Sequence, residues 1–129
     1  MKHLKKFNES TSGIDKEEVQ EFCENYLAYL LDDDYYLLIV EGPVYFKINF
    51  SSNKNYPFTL ANEWDIIKDN FIPFLSMLDR SYNISKGKMY DEKVIEIDNQ
   101  EYILSDVIQD NIYQPSKLKF KNINIYIKK

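Results

Sequence analysis

The side chains that could do chemistry in this 129-residue chain are mostly carboxylates. Asp32, Asp33 and Asp34 stand in a row, and Asp91, Glu92, Glu96, Asp98 and Glu101 gather in one later stretch. Hard cations take several oxygen ligands and paired acids cleave glycosides, so both groups invite a metal or an acid–base reading. Consecutive residues point in different directions, and the aspartate run lacks the alternating ligands and the glycine of a calcium loop. A solvated helix-to-strand turn accounts for it more simply. The later group surrounds an expected hairpin, where charge along a sheet edge discourages aggregation.

Nucleophilic chemistry has less support. The single histidine, His3, lies in the first turn of sequence, far from any partner for a hydrolytic triad. The single cysteine, Cys23, falls on an apolar helix stripe and reads as a buried structural thiol. It cannot form an internal disulfide, which fits a reducing interior. No CxxC or HxxxH spacing offers zinc a site, and no glycine-rich turn opens a helix to cradle phosphate. The sequence therefore assigns no catalytic residue, no metal and no cofactor.

Aromatic residues give the more useful lead. The chain has 11 Tyr and 8 Phe, and Tyr35, Tyr36, Tyr45 and Tyr56 cluster around an expected first hairpin. On an outward sheet face such rings stack bases or anchor a protein partner. Base stacking needs a basic groove, whereas Lys47 and Lys54 here adjoin the three aspartates and the whole chain carries a net charge of −5. Nucleic acid is excluded as the default partner. A protein contact through Tyr35, Tyr36 and Tyr45 fits better, with ordinary core or rim tyrosines as the plain alternative.

The elements that must position these groups follow from periodicity. Asp15 and Glu18 predict a capping box, with Ile14 and Val19 as its hydrophobic staple. Val19, Phe22, Cys23, Tyr26, Leu27 and Leu30 then repeat as one helix face. Tyr35 to Val40 is a continuous apolar run, as expected of a strand covered on both faces. After the Glu41-Gly42-Pro43 turn, Val44, Phe46, Ile48 and Phe50 alternate with polar residues, predicting an antiparallel hairpin. A second helix is expected over Asn62 to Arg80, kinked at Pro73, with Trp64, Ile67, Phe71, Phe74 and Leu78 inward. Val94–Ile97 and Glu101–Leu104 flank a hairpin turn, and Ser105 is placed to cap a short helical turn. Leu118 and Phe120 lead, through a change of parity, to Ile123, Ile125 and Ile127 in a final strand.

This order predicts an α+β fold in two layers, two main helices packed on a mostly antiparallel sheet of about five strands. It forms one domain over residues 14–129, after a basic, flexible segment at 1–13. No apolar run reaches the roughly 18 residues that a membrane-spanning helix needs, and no secretory signal precedes the domain.

The first ten residues, MKHLKKFNES, stand apart: three lysines against one glutamate open an acidic chain. This segment resembles the start of many small proteins of large tailed, T4-like bacteriophages, which begin Met-Lys and carry a Lys-Phe pair before a Glu. The resemblance implies an address directing the protein into the prohead, where a maturation protease cuts after a hydrophobic-x-Glu motif. Phe7, Asn8 and Glu9 would be that motif, and cleavage would leave Ser10 first. The expected function is a non-enzymatic protein-binding module, phage-encoded, acting in the virion or in the bacterial host cytoplasm. The alternatives are a small metal-dependent enzyme using the clustered carboxylates, and a structural homo-oligomer joined through the Ile123-Ile125-Ile127 strand.

Overall fold

The computed structural model describes residues 14–31, 35–52, 60–89, 91–111 and 122–129. The basic segment with Phe7, Asn8 and Glu9, the Asp32 to Asp34 run, Tyr56, Leu118 and Phe120 lie outside the described residues. Helix α1, Lys16–Leu31, begins where Asp15 Oδ1 accepts the Glu18 backbone N–H at 2.8 Å. That is one half of the expected capping box, which satisfies an otherwise orphaned donor. Glu18 does not supply the other half. Its carboxylate accepts the Tyr82 hydroxyl at 2.9 Å instead, tying the start of α1 to a distant part of the chain. Val19, Cys23, Leu27 and Leu30 are buried along one stripe, as their spacing requires.

Strands β1, Tyr35–Glu41, and β2, Tyr45–Ser52, form the expected antiparallel hairpin. Helix α2, Leu60–Ser81, runs unbroken through Pro73. The proline lies on the exposed side, where water can take the carbonyl it leaves unbonded. The predicted stripe is buried in full, from Trp64 through Ile67, Phe71 and Phe74 to Leu78. A two-residue strand β3, Asn83–Ile84, follows.

Strands β4, Val94–Ile97, and β5, Gln100–Ile103, meet through Asp98 and Asn99. Both turn residues have positive φ, 49° and 71°, the geometry that matches a tight turn to the twist of its strands. Asp and Asn tolerate it best after glycine. Helix α3, Leu104–Ile108, starts two residues earlier than expected, with Ile103 at its cap and no side-chain cap bond. Ser105 lies inside the helix. Strand β6, Asn122–Lys128, is the last.

Among the described residues the sheet has six antiparallel strands in the order β1-β2-β6-β4-β5, with β3 also beside β6. Its final strand is central. β2 pairs along one edge of β6 while β3 and β4 share the other. The alternative in which the Ile123-Ile125-Ile127 strand pairs with its copy does not fit, because both edges of β6 are already taken. Those three isoleucines are fully buried, and an all-isoleucine face is covered best in the middle of a sheet. Together with Phe46, Ile48, Phe50, Ile95 and Ile97 they meet the buried stripes of all three helices in one core. Phe50 sits at its centre, stacked on Tyr35 at 5.1 Å and tilted against Phe71 at 5.1 Å. The described helices all cover one face of the sheet, and the architecture is two-layer α+β.

Candidate functional site

Side chains alternate across a strand, so the residues between the core positions form a second face. None of the described helices packs on it. Register places Leu38, Asn49, Asn124, Glu96 and Glu101 in one row running from β1 across to β5. A neighbouring row holds Val40, Lys47 and Tyr126, and a third holds Tyr36, Ser51 and Asn122.

The middle of this face is polar and internally bonded. Asn49 Nδ2 donates to Asn124 Oδ1 at 2.7 Å, and Asn124 Nδ2 reaches Asn122 Oδ1 at 3.5 Å. Asn124 is only 7% exposed, so this bond spares it an unpaired buried amide. The pKa of Tyr126 is raised, first by burial and then by the neighbouring Glu96 carboxylate.

The β4–β5 end is acidic. Glu96 and Glu101 oppose each other directly, a like-charge pair that a sheet tolerates poorly. An excursion closed by a bridge between Lys86 and Lys93 folds over this end. Lys88 N–H donates to Glu101 Oε2 at 3.3 Å, while Oε1 is buried with no hydrogen-bond partner. A cavity of about 440 Å³ lies beside the pair, lined also by Met89, Asn99 and Gln100. Among the described residues no three His, Cys, Asp or Glu side chains converge as metal ligands. A second cleft, about 370 Å³, has Ile103, Leu104 and Ile108 beneath a 2.7 Å ion pair between Lys93 and Asp79. Ser105, Lys86 and Glu92 also line this cleft, and among the described residues no hydrogen bond joins the Ser105 hydroxyl to an acid or a lysine. Cys23 lies in the core, its thiol pushed up to about 12 by burial and then by the nearby Glu24 charge.

The β1–β2 end is apolar and open. Tyr36, Leu38 and Val40 are 56%, 57% and 42% exposed, Tyr45 extends the patch at 40%, and Val44 is exposed in the turn before it. Two of the three expected contact tyrosines, Tyr36 and Tyr45, therefore face outward on this surface. Tyr35 does not. It is 1% exposed and stacked on Phe50, because neighbours in a strand point to opposite faces and Tyr36 takes the outer one. Leu38 and Val40 were missed: β1 reads as a strand covered on both faces, whereas its outer side is open. A run of apolar residues without alternation carries no signal to separate the two cases.

No family model, curated protein or solved structure matches this chain.

Proposed function

We propose that the chain is a non-enzymatic protein-binding module whose contact surface is the apolar end of the uncovered sheet face. One observation carries this reading. Tyr36, Leu38, Val40 and Tyr45 share the outer face at neighbouring register positions and are exposed, while the amides of Asn49 and Asn124 beside them are bonded to each other. Clustered exposed apolar side chains mark contact sites more than scattered ones do, and tyrosine gives large contact area at small entropic cost. The resemblance of MKHLKKFNES to phage protein starts supports a phage origin, with the protein acting in the virion or in the host cytoplasm.

Site-specific photocrosslinking in the native source tests the surface. A benzophenone side chain at Tyr36 should give discrete protein adducts, and the same group at Tyr29, 83% exposed on α1, should give none. Equal labelling from both positions, or none from Tyr36, overturns the reading. Intact mass of the protein from purified particles and from infected-cell lysate separates the two settings: loss of residues up to Glu9 in particles marks a head component.

A further inference from the structure

The apolar patch is continuous with a sheet edge that no other described strand covers, and the two together define an occupant. Among the described strands, β1 is the outermost on its side of the sheet. Gly42 N–H bonds Tyr45 C=O at 2.8 Å, which fixes the alternation of the β1–β2 ladder. In an antiparallel ladder every second residue directs both backbone groups to the same neighbour. Tyr36, Leu38 and Val40 therefore bond to β2, and Leu37 and Ile39 turn their N–H and C=O groups outward. Sheets commonly blunt such edges with lysine, proline, a bulge or brevity. The opposite edge of this sheet is treated that way, since β5 has four residues, carries Glu101 and runs straight into α3. β1 has seven residues, reads Tyr-Tyr-Leu-Leu-Ile-Val-Glu, and has no charge before Glu41.

We propose that β1 pairs antiparallel with β1 of a second copy, about a two-fold axis at Leu38. This rests on the reading of the same face as a contact surface. The register that overlaps all seven residues sets Leu38 against Leu38 and Leu37 against Ile39 of the partner. It joins the outward backbone groups of Leu37 and Ile39 in matched bonds, the arrangement antiparallel pairing requires. Tyr36 then meets the partner's Val40, and the outer side chains of both copies make one apolar row. The contact is isologous, so the strand need only be complementary to itself. The stretch from Tyr35 to Val40 carries no charge, so the contact itself sets no like charges of the two acidic chains against each other there. A seven-residue edge is short of the roughly 20 residues a side of a standard interface, so the dimer is weak and concentration-dependent.

Sedimentation velocity over a wide micromolar range should show a reversible monomer–dimer equilibrium. Leu38→Lys, at a 57% exposed position, should leave the monomer folded and weaken the dimer about tenfold or more, because two ammonium groups meet at the axis. In Leu38→Cys the facing Cα atoms of such a pair stand about 4.5 Å apart, within disulfide reach. Mild oxidation should give a covalent dimer, while Tyr29→Cys should not; the native Cys23 is fully buried and does not compete. A chain that stays monomeric, with no excess crosslinking at position 38, overturns the pairing. So does a dimer indifferent to Leu38→Lys. If benzophenone at Tyr36 still captures a different protein from a monomeric chain, the pairing alone falls. If it captures nothing either, the contact-surface reading falls with it.

Discussion

Gly87→Ala isolates what fastens the Lys86–Lys93 excursion to the outer face. A Cβ at position 87 would stand 2.5 Å from Glu101 Oε1 and 3.0 Å from both methyls of Val94. Gly87 has no positive φ, so alanine fits the backbone there and the penalty is purely steric. The shorter contact is not the costlier one. Glu101 ends a flexible side chain held by one long hydrogen bond, and it can swing aside for about 1 kcal/mol or less. Val94 is β-branched, stiff at χ1, 5% exposed and fixed in β4, so it cannot. Overpacking of this kind costs about 1–3 kcal/mol, and the entropy alanine removes from the unfolded chain returns about 0.4–1 kcal/mol. A net loss of about 1–2 kcal/mol follows. Urea unfolding of the single and double variants, followed by circular dichroism at unchanged m-value, measures it. Gly87→Ala with Val94→Ala should be more stable than the summed single effects by about 1 kcal/mol. Gly87→Ala with Glu101→Ala should be nearly additive. The reverse pattern, or additivity in both pairs, would refute the assignment of the strain to Val94.

Two further predictions rest on titrating groups. The Cys23 thiol is held protonated in the fold, and the unfolded thiol ionises from about 9 upward. Stability should therefore be intact below pH 9 and fall toward pH 12 by up to about 1.4 kcal/mol per unit. Cys23→Ala should lessen that alkaline slope, and iodoacetamide should label the native protein only when it unfolds. Asp110 works at the acid end. Its carboxylate accepts Trp64 Nε1–H at 2.7 Å and the Lys68 ammonium at 3.2 Å, and the Trp64 bond, then Lys68, lowers its pKa. Its share of stability is present above the ordinary carboxylate value and disappears as pH falls through the depressed one, by less than about 1 kcal/mol for so exposed a group. Asp110→Asn should flatten that acid limb in thermal melts at small cost near neutrality. Asp110→Gly, which tolerates the 59° φ, leaves the nearly buried indole N–H without its acceptor and should cost about 1–3 kcal/mol.

Where one residue type could serve only one purpose, the sequence was readable. The stripe from Val19 to Leu30 and the stripe from Trp64 to Leu78 are buried as their spacing demands. Asp98 and Asn99 form a tight turn because few other residues accept two successive positive φ values. What stayed illegible is long-range. Nothing local says that the last strand enters between β2 and β4, since strand order depends on which edges meet across some seventy residues. Glu18 shows the same limit on one side chain: the local pattern offered a capping box, and the fold offered Tyr82 from 64 residues away. The apolar patch fell in this gap too. Tyr36 and Tyr45 were identifiable as aromatic, but Tyr-Tyr-Leu-Leu-Ile-Val has no polar position to show which side is wet.

The central place of β6 joins the fold to the proposed surface. β2 has β1 on one edge and β6 on the other, so until β6 arrives both edges of the β1–β2 hairpin stand open. An incomplete chain would offer β2, with Phe46, Ile48 and Phe50 uncovered, as readily as β1. Once β6 docks, its three isoleucines close the core and Asn124 takes the Asn49 amide. β1 then presents the long uncharged edge, with Tyr36, Leu38 and Val40 beside it. The proposed pairing at β1 thus belongs to the finished sheet, in which the competing edge of β2 is already taken by β6.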